Sequence, residues 1–313
     1  MSDSMFSMIF PGQGSQSIGM SNELAGTYPI VQQTYQAASD ALGFDLWSLV
    51  KDGPVENLNQ TEITQPAMLT AGVAVWRVWQ QEQGPLPACM AGHSLGEYTA
   101  LVCAGALAFE DAVRLVSERG KYMQSAVPEG TGSMAAILGL EDDAVREACR
   151  SAASGQVVEA VNFNSPGQVV IAGDKAAVDR ACELAKAAGA KRALPLPVSV
   201  PSHCALMKPA AERLAERLSD IEISRPSIPV IHNVNVAEAQ DVNEIRELLA
   251  AQLYSPVRWV ETVQKMAVTG SATLVEAGPG KVLAGLTKRI DRNLTGMAVF
   301  DTNSLTQALE TLK

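Results

Sequence analysis

The chain has 313 residues, 47% of them apolar, which is long enough to bury a substantial core as one large domain or two ordinary ones. Its formal net charge of −10 sets up the wrong field for a phosphate backbone, so a nucleic-acid-binding surface is excluded as its main business. No stretch approaches the roughly 18 continuous apolar residues of a membrane helix, so no membrane span is expected.

Five cysteines, Cys89, Cys103, Cys149, Cys182 and Cys204, form no CxxC pair and no metal-like spacing. An odd, scattered set reads as reduced thiols in a cytosolic protein with no metal site. The start, Met1 to Phe6, lacks the basic segment and cleavage site of a signal peptide, so a cytoplasmic location is expected.

In chain order, Phe6 to Phe10 is an apolar run ending at Pro11-Gly12-Gln13-Gly14, a strand entering a tight loop. Ala88 to Ala91 repeats this before Gly92, and Glu97 to Leu107 has helical composition. A helix near 111–124 places Ala112, Leu115, Val116 and Met123 on one face. The middle of the chain changes rhythm. Met134 to Leu138 reads as a strand, Glu141 to Ala153 as a helix, and Val157 to Val161 and Gln168 to Ala172 as strands. Asn164 to Gly167 forms the turn between those two strands, Asp174 to Ala188 a second helix, and Arg192 to Leu196 a last strand. That β-α-β-β-α-β order is the ferredoxin-like motif. Near the end, strand Thr273 to Ala277 stops at Gly278-Pro279-Gly280, and Val282 to Ile290 is helical.

Strands alternating with helices predict an α/β fold with a mostly parallel sheet in a large, hydrolase-like domain. The expected boundaries are 1–126 and 200–313 for that domain, with a small ferredoxin-like α+β domain inserted at 127–199. A cleft is expected where the two meet, and such junctions commonly hold substrate.

Gly92-His93-Ser94-Leu95-Gly96 fits G-x-S-x-G between a strand and a helix, the setting of a nucleophile elbow. The bland alternative is a glycine turn with a serine helix cap. A nucleophilic serine needs a base, and three histidines exist: His93, His203 and His232. His93 adjoins the serine in a tight turn, where side chains point apart. His232 ends the apolar run Ile228 to Ile231 and reads as a core or edge histidine. His203 stands where the inserted segment returns to the large domain, and is the expected base. Arg119 lies in the centre of the apolar stripe of its helix, while Arg114 and Glu118 point away. An arginine facing a core needs an anion. An internal Asp or Glu and a substrate carboxylate are equally open. Gly12-Gln13-Gly14-Ser15-Gln16 lacks both the third glycine of a dinucleotide loop and the Lys-Ser/Thr of a P-loop. It reads either as an ordinary turn or as a loop whose Gln13 N–H faces an oxyanion.

These segments appear in one order with Arg119-Gly120-Lys121, Asn162 to Gln168, Val200-Pro201-Ser202-His203 and Glu276 to Gly280. Together they closely resemble the malonyl-CoA:acyl carrier protein transacylases of bacterial type II fatty acid synthesis, over nearly the whole chain. The resemblance implies that Ser94 carries a malonyl ester between a coenzyme A thioester and the phosphopantetheine thiol of an acyl carrier protein. It implies His203 as general base and acid, and the backbone amides of Gln13 and Leu95 as the oxyanion hole. It makes Arg119 the holder of the malonyl carboxylate, and Gln252 or its carbonyl the support of the histidine. Asn162 would line the cleft. Val200 to His203 and Leu95 look like the free-standing malonyl enzymes. The resemblance further implies no permanently bound cofactor and a monomer. Lys191-Arg192 and Lys288-Arg289 are candidate contacts for an acidic carrier. The rival readings are an α/β-hydrolase acting as thioesterase or esterase, whose triad histidine comes late in the chain, and a non-catalytic carrier-binding module.

Overall fold

The computed structural model describes residues 5–198 and 200–312. The expected boundary positions 1, 199 and 313, and the first residues read for a leader, lie outside them. Nine strands are described: β1 Phe6–Phe10, β2 Cys89–Gly92, β3 Gly132–Leu138, β4 Val158–Ser165, β5 Gln168–Asp174, β6 Arg192–Pro195, β7 Val230–Ile231, β8 Thr273–Ala277 and β9 Thr295–Val299. They form two sheets, ordered β7-β2-β1-β8-β9 and β4-β5-β3-β6.

Every pairing of the first sheet is parallel. Strands β1 and β8 are buried at all five positions, as expected of parallel strands covered on both faces. Alternation along β1 divides the core. Phe6, Met8 and Phe10 join one apolar cluster with the helices Thr61–Gln81 and Phe109–Ser125. Ile9 joins another on the opposite face, with Trp259, Leu274 and Leu283.

The second sheet is antiparallel throughout. Its order is that of the β-α-β-β-α-β motif, with helices Asp142–Ala152 and Lys175–Ala187 sharing one apolar cluster with the strands. The α/β class read from the sequence is the one observed. In the chain, the second sheet falls between β2 and β7 of the first.

Two element readings are corrected. The helix expected over 97–107 is Gly96–Cys103; Gly105 follows at φ 74, a left-handed residue that ends helices, and Leu107 pairs with Ile223 instead. Strand β4 does not stop at Val161 but runs to Ser165 through two register shifts, so the first half of the expected turn, Asn164 and Ser165, is strand. Val257 N–H donates to Val161 O at 2.8 Å and Phe163 N–H to Val257 O at 3.0 Å. Those bonds draw β4 against the segment that follows Gln252.

Near the end of β8, Glu276 Oε2 accepts from Ala284 N–H at 2.8 Å, capping the helix Val282–Ile290. Burial pushes its carboxyl up to about 7 against the lowering effect of the Ala284, Leu283 and Val282 amides.

Candidate active site

Strand β2 ends at Gly92 and the next helix starts at Gly96, so the chain reverses within the intervening residues. A Cβ on Gly92 would lie 1.8 Å from the carbonyl carbon of Gly96, and one on Gly96 would lie 2.1 Å from Phe10 O. Only hydrogen fits at both places. Ser94 is held at φ 51, a left-handed conformation costing about 1–3 kcal/mol that the packing around it enforces. This is the sharp strand-to-helix turn that the sequence pattern leads one to expect.

Ser94 Oγ stands 2.8 Å from His203 Nε2. On the far side of the ring, His203 Nδ1 lies 2.8 Å from the main-chain carbonyl of Gln252. A carbonyl can only accept, so Nδ1 carries the proton and Nε2 is left to accept from the serine hydroxyl. His203 is buried, and burial first, then the Arg119 charge, lowers its pKa to about 3, so the ring is neutral near pH 7.

Arg119 is 1% exposed, on the helix Phe109–Ser125. Its neighbour Gly120 lets this helix approach Thr61–Gln81 closely, since a Cβ there would lie 2.6 Å from Glu62 Cα. Nη1 donates to Gln65 Oε1 at 2.8 Å, and Nη2 to Gln252 Oε1 at 3.0 Å and to Ser94 Oγ at 3.4 Å. Of the two anions open to it, an internal carboxylate is not the one found. The ion pairs of the described residues leave Arg119 out, and Nε has no partner among them. Burial pulls its pKa below the ordinary guanidinium value, while Tyr98, whose ring lies 5.4 Å away, and Glu97 support the charge.

Gln252, fully buried, links these parts. Its carbonyl holds His203, its Oε1 holds Arg119, and its Nε2 donates to Ser94 O at 3.1 Å and Glu97 Oε2 at 2.9 Å. Gln13 lies in the loop after β1, and neither its N–H nor that of Leu95 has an acceptor among the described residues. Ser94, His203, Arg119, Gln13, Leu95 and Asn162 line one cavity of about 120 Å³. Asn162 Oδ1 is buried there without a hydrogen-bond partner among the described residues, Ser94 and His203 included. The cavity opens past Gln13, Thr61, Leu196 and Val198 into a wider cleft of about 820 Å³.

Several residues of the site escaped the sequence reading. Gln65 sits on a helix buried almost all round, where no periodic stripe marks one face. Glu97 is fully buried one residue beyond the glycine pattern. It accepts from Asn233 N–H at 2.8 Å and pairs with His232 Nδ1 at 2.7 Å. His232 is therefore the core histidine expected, but one with a carboxylate partner. His93 engages partners other than Ser94: its Nε2 lies 2.8 Å from Asn164 Oδ1 and its ring centroid 5.6 Å from that of Trp259.

A serine on a strand-to-helix elbow, a neutral histidine and a buried unpaired arginine around one cleft define an acyl-transferring enzyme class, and the comparisons agree. Residues 7–300 match the model of the acyl transferase domain family. The chain is 61% identical over 304 residues to the malonyl CoA-acyl carrier protein transacylase of Salmonella typhimurium, covering 97% of this chain and 98% of the relative. It is 46% identical over 311 residues to that of Bacillus subtilis, covering 99% and 98%. A crystal structure of an acyl carrier protein S-malonyltransferase from Vibrio cholerae superimposes with a TM-score of 0.96 at 61% identity, covering 97% of this chain and 99% of that one. A malonyl-transacylase solved in complex with a type II PKS acyl-carrier protein gives 0.98 at 59% identity, covering 98% and 100%. The chain belongs to the malonyl CoA-acyl carrier protein transacylases.

Proposed function

We propose that this chain moves a malonyl group from coenzyme A to the phosphopantetheine thiol of an acyl carrier protein, through an ester on Ser94. The observation that carries this reading is Arg119, a buried cation without a carboxylate partner among the described residues, 3.4 Å from Ser94 Oγ. An acyl group that brings its own carboxylate supplies the missing anion, and a planar guanidinium can hold it through two parallel bonds.

Ser94 Oγ attacks the thioester carbonyl while its proton passes to His203 Nε2. The carbonyl oxygen becomes an oxyanion between the unengaged amides of Gln13 and Leu95. Collapse of the adduct breaks the C–S bond, and the departing thiolate takes the proton from His203. The carrier thiol then gives its proton to His203 and attacks the ester, and Ser94 regains its hydroxyl. Gln252 O fixes the imidazole tautomer without adding a negative charge. A malonyl carboxylate on Arg119 also neutralises the charge that helps depress His203, so substrate makes the base stronger.

Asn162, with an unpartnered acceptor in the cavity, contacts the bound acyl or pantetheine chain. Both the thioester and the carrier reach the site through the wider cleft, and the chain needs no resident metal or cofactor for these steps. Among the described residues no helix is long and apolar enough to cross a membrane. Incubation with malonyl-CoA followed by intact-mass measurement tests the reading. One malonyl adduct is expected on the wild type and none on Ser94→Ala, and a carrier bearing phosphopantetheine should discharge it. Release of malonate to water, with none on the carrier, would identify a hydrolase instead.

A further inference from the structure

The elbow has a second support that the chemistry above does not use. Strand β7 pairs with β2 at Met90–Val230 and Ala91–Ile231, and the ladder then runs out because β2 turns into the elbow. Two residues on, the Asn233 side chain takes up the pairing. Its Nδ2 donates to Gly92 O at 2.7 Å, and its Oδ1 accepts from Ser94 N–H at 2.8 Å. One primary amide thus bridges the backbone on either side of His93 as a further rung would. The two bonds fix which end is oxygen, since an N–H must meet the acceptor and a carbonyl the donor. Asn233 is fully buried, and its own N–H is anchored on Glu97 Oε2 at 2.8 Å.

We propose that Asn233 is a positioning residue for acyl transfer, a role that rests on Ser94 being the nucleophile. It has two effects. It holds Ser94 in the left-handed conformation that aims Oγ at His203. It also occupies the serine's own N–H, so that amide cannot turn toward the oxyanion, and the Leu95 N–H beside it is left to do so. An apolar side chain at this place would satisfy neither of the two backbone groups.

Asn233→Asp keeps the shape and the acceptor for Ser94 N–H, but sets a second oxygen against Gly92 O. The rate of Ser94 acylation by malonyl-CoA, per site counted from the burst of coenzyme A release, should fall about a hundredfold with KM within about twofold. A purely structural role would lower the number of competent sites and leave the rate per site unchanged, and that result overturns the proposal. Should the variant fail to fold, amide hydrogen exchange on the wild type decides. The Ser94 N–H should exchange slowly and the Leu95 N–H fast, slowing once Ser94 is acylated. A Ser94 amide that exchanges as fast as that of Leu95 overturns the proposal. A wild type that never acylates removes the nucleophile reading itself. A wild type and variant that acylate equally fast remove only the role of Asn233.

Discussion

Arg119 Nη2 lies 3.4 Å from Ser94 Oγ, so a fixed positive charge and the elbow hydroxyl share one wall of the cleft. The charge is held by the side-chain oxygens of Gln65 and Gln252, which orient the guanidinium without neutralising it. On the reading proposed above it would hold an acyl group ending in a carboxylate, and it raises the cost of protonating His203.

Arg119→Ala should separate malonyl from acetyl transfer. Losing one partner of a desolvated charge pair costs about 2–5 kcal/mol, or roughly 30-fold to several thousandfold in rate. Acetyl transfer, which makes no such pair, should be unchanged or faster. Steady-state rates with malonyl-CoA and acetyl-CoA check this, and equal losses with both would remove the carboxylate role.

The pH dependence of Ser94 reactivity carries the second prediction. Burial and Arg119 hold His203 near 3 in the free enzyme, far below the ordinary imidazole value of 6.5. The acid limb of Ser94 labelling by a fluorophosphonate should therefore fall below the usual imidazole range. Removing the positive neighbour with Arg119→Met favours the imidazolium, so the limb should move up in pH. An unmoved limb would show that the two groups do not interact.

Glu276 gives a stability prediction of defined sign. Its carboxyl is raised from 4.5 to about 7 by burial, so the folded state binds a proton more tightly than the unfolded chain. That stabilisation is fully present below 4.5 and is lost as pH rises through about 7. Thermal melts of wild type and Glu276→Gln between those limits should show the wild type losing ground as pH rises. A pH-independent difference would contradict this.

Gly120→Ala tests how the arginine is placed. A Cβ 2.6 Å from Glu62 Cα forces the two helices apart. Overpacking of this kind costs about 1–3 kcal/mol, which a melt would detect. Because Arg119 moves with its helix, KM for malonyl-CoA should rise more than KM for acetyl-CoA. A loss of stability with no change in the ratio would mean that the helix adjusts without shifting Arg119.

Local chemistry made much of this protein readable in one dimension. The runs at Phe6–Phe10 and Thr273–Ala277 are apolar throughout because parallel strands are covered on both faces, and the structure has them at those bounds. The alternation of β3 to β6 with two amphipathic helices was legible for a different reason, since each of those helices buries only one face. The glycines around Ser94 and the arginine on an apolar stripe broke local rules, which marked them. The helix Thr61–Gln81 was not legible, because a helix buried nearly all round has no polar face to set its period. Nor was the extent of β4, where register shifts absorb residues that look like a turn.

The sequence by itself determined which residue types were available: one serine in an elbow, three histidines and one misplaced arginine. Tertiary structure alone decided their partnerships. That Ser94 meets His203, that the imidazole rests on the carbonyl of Gln252, and that Asn233 and Glu97 stand behind the elbow depend on pairs separated by 49 to 141 residues. A hydrogen bond is satisfied by any group of the right kind at about 2.9 Å, so sequence spacing carries no trace of which one arrives there.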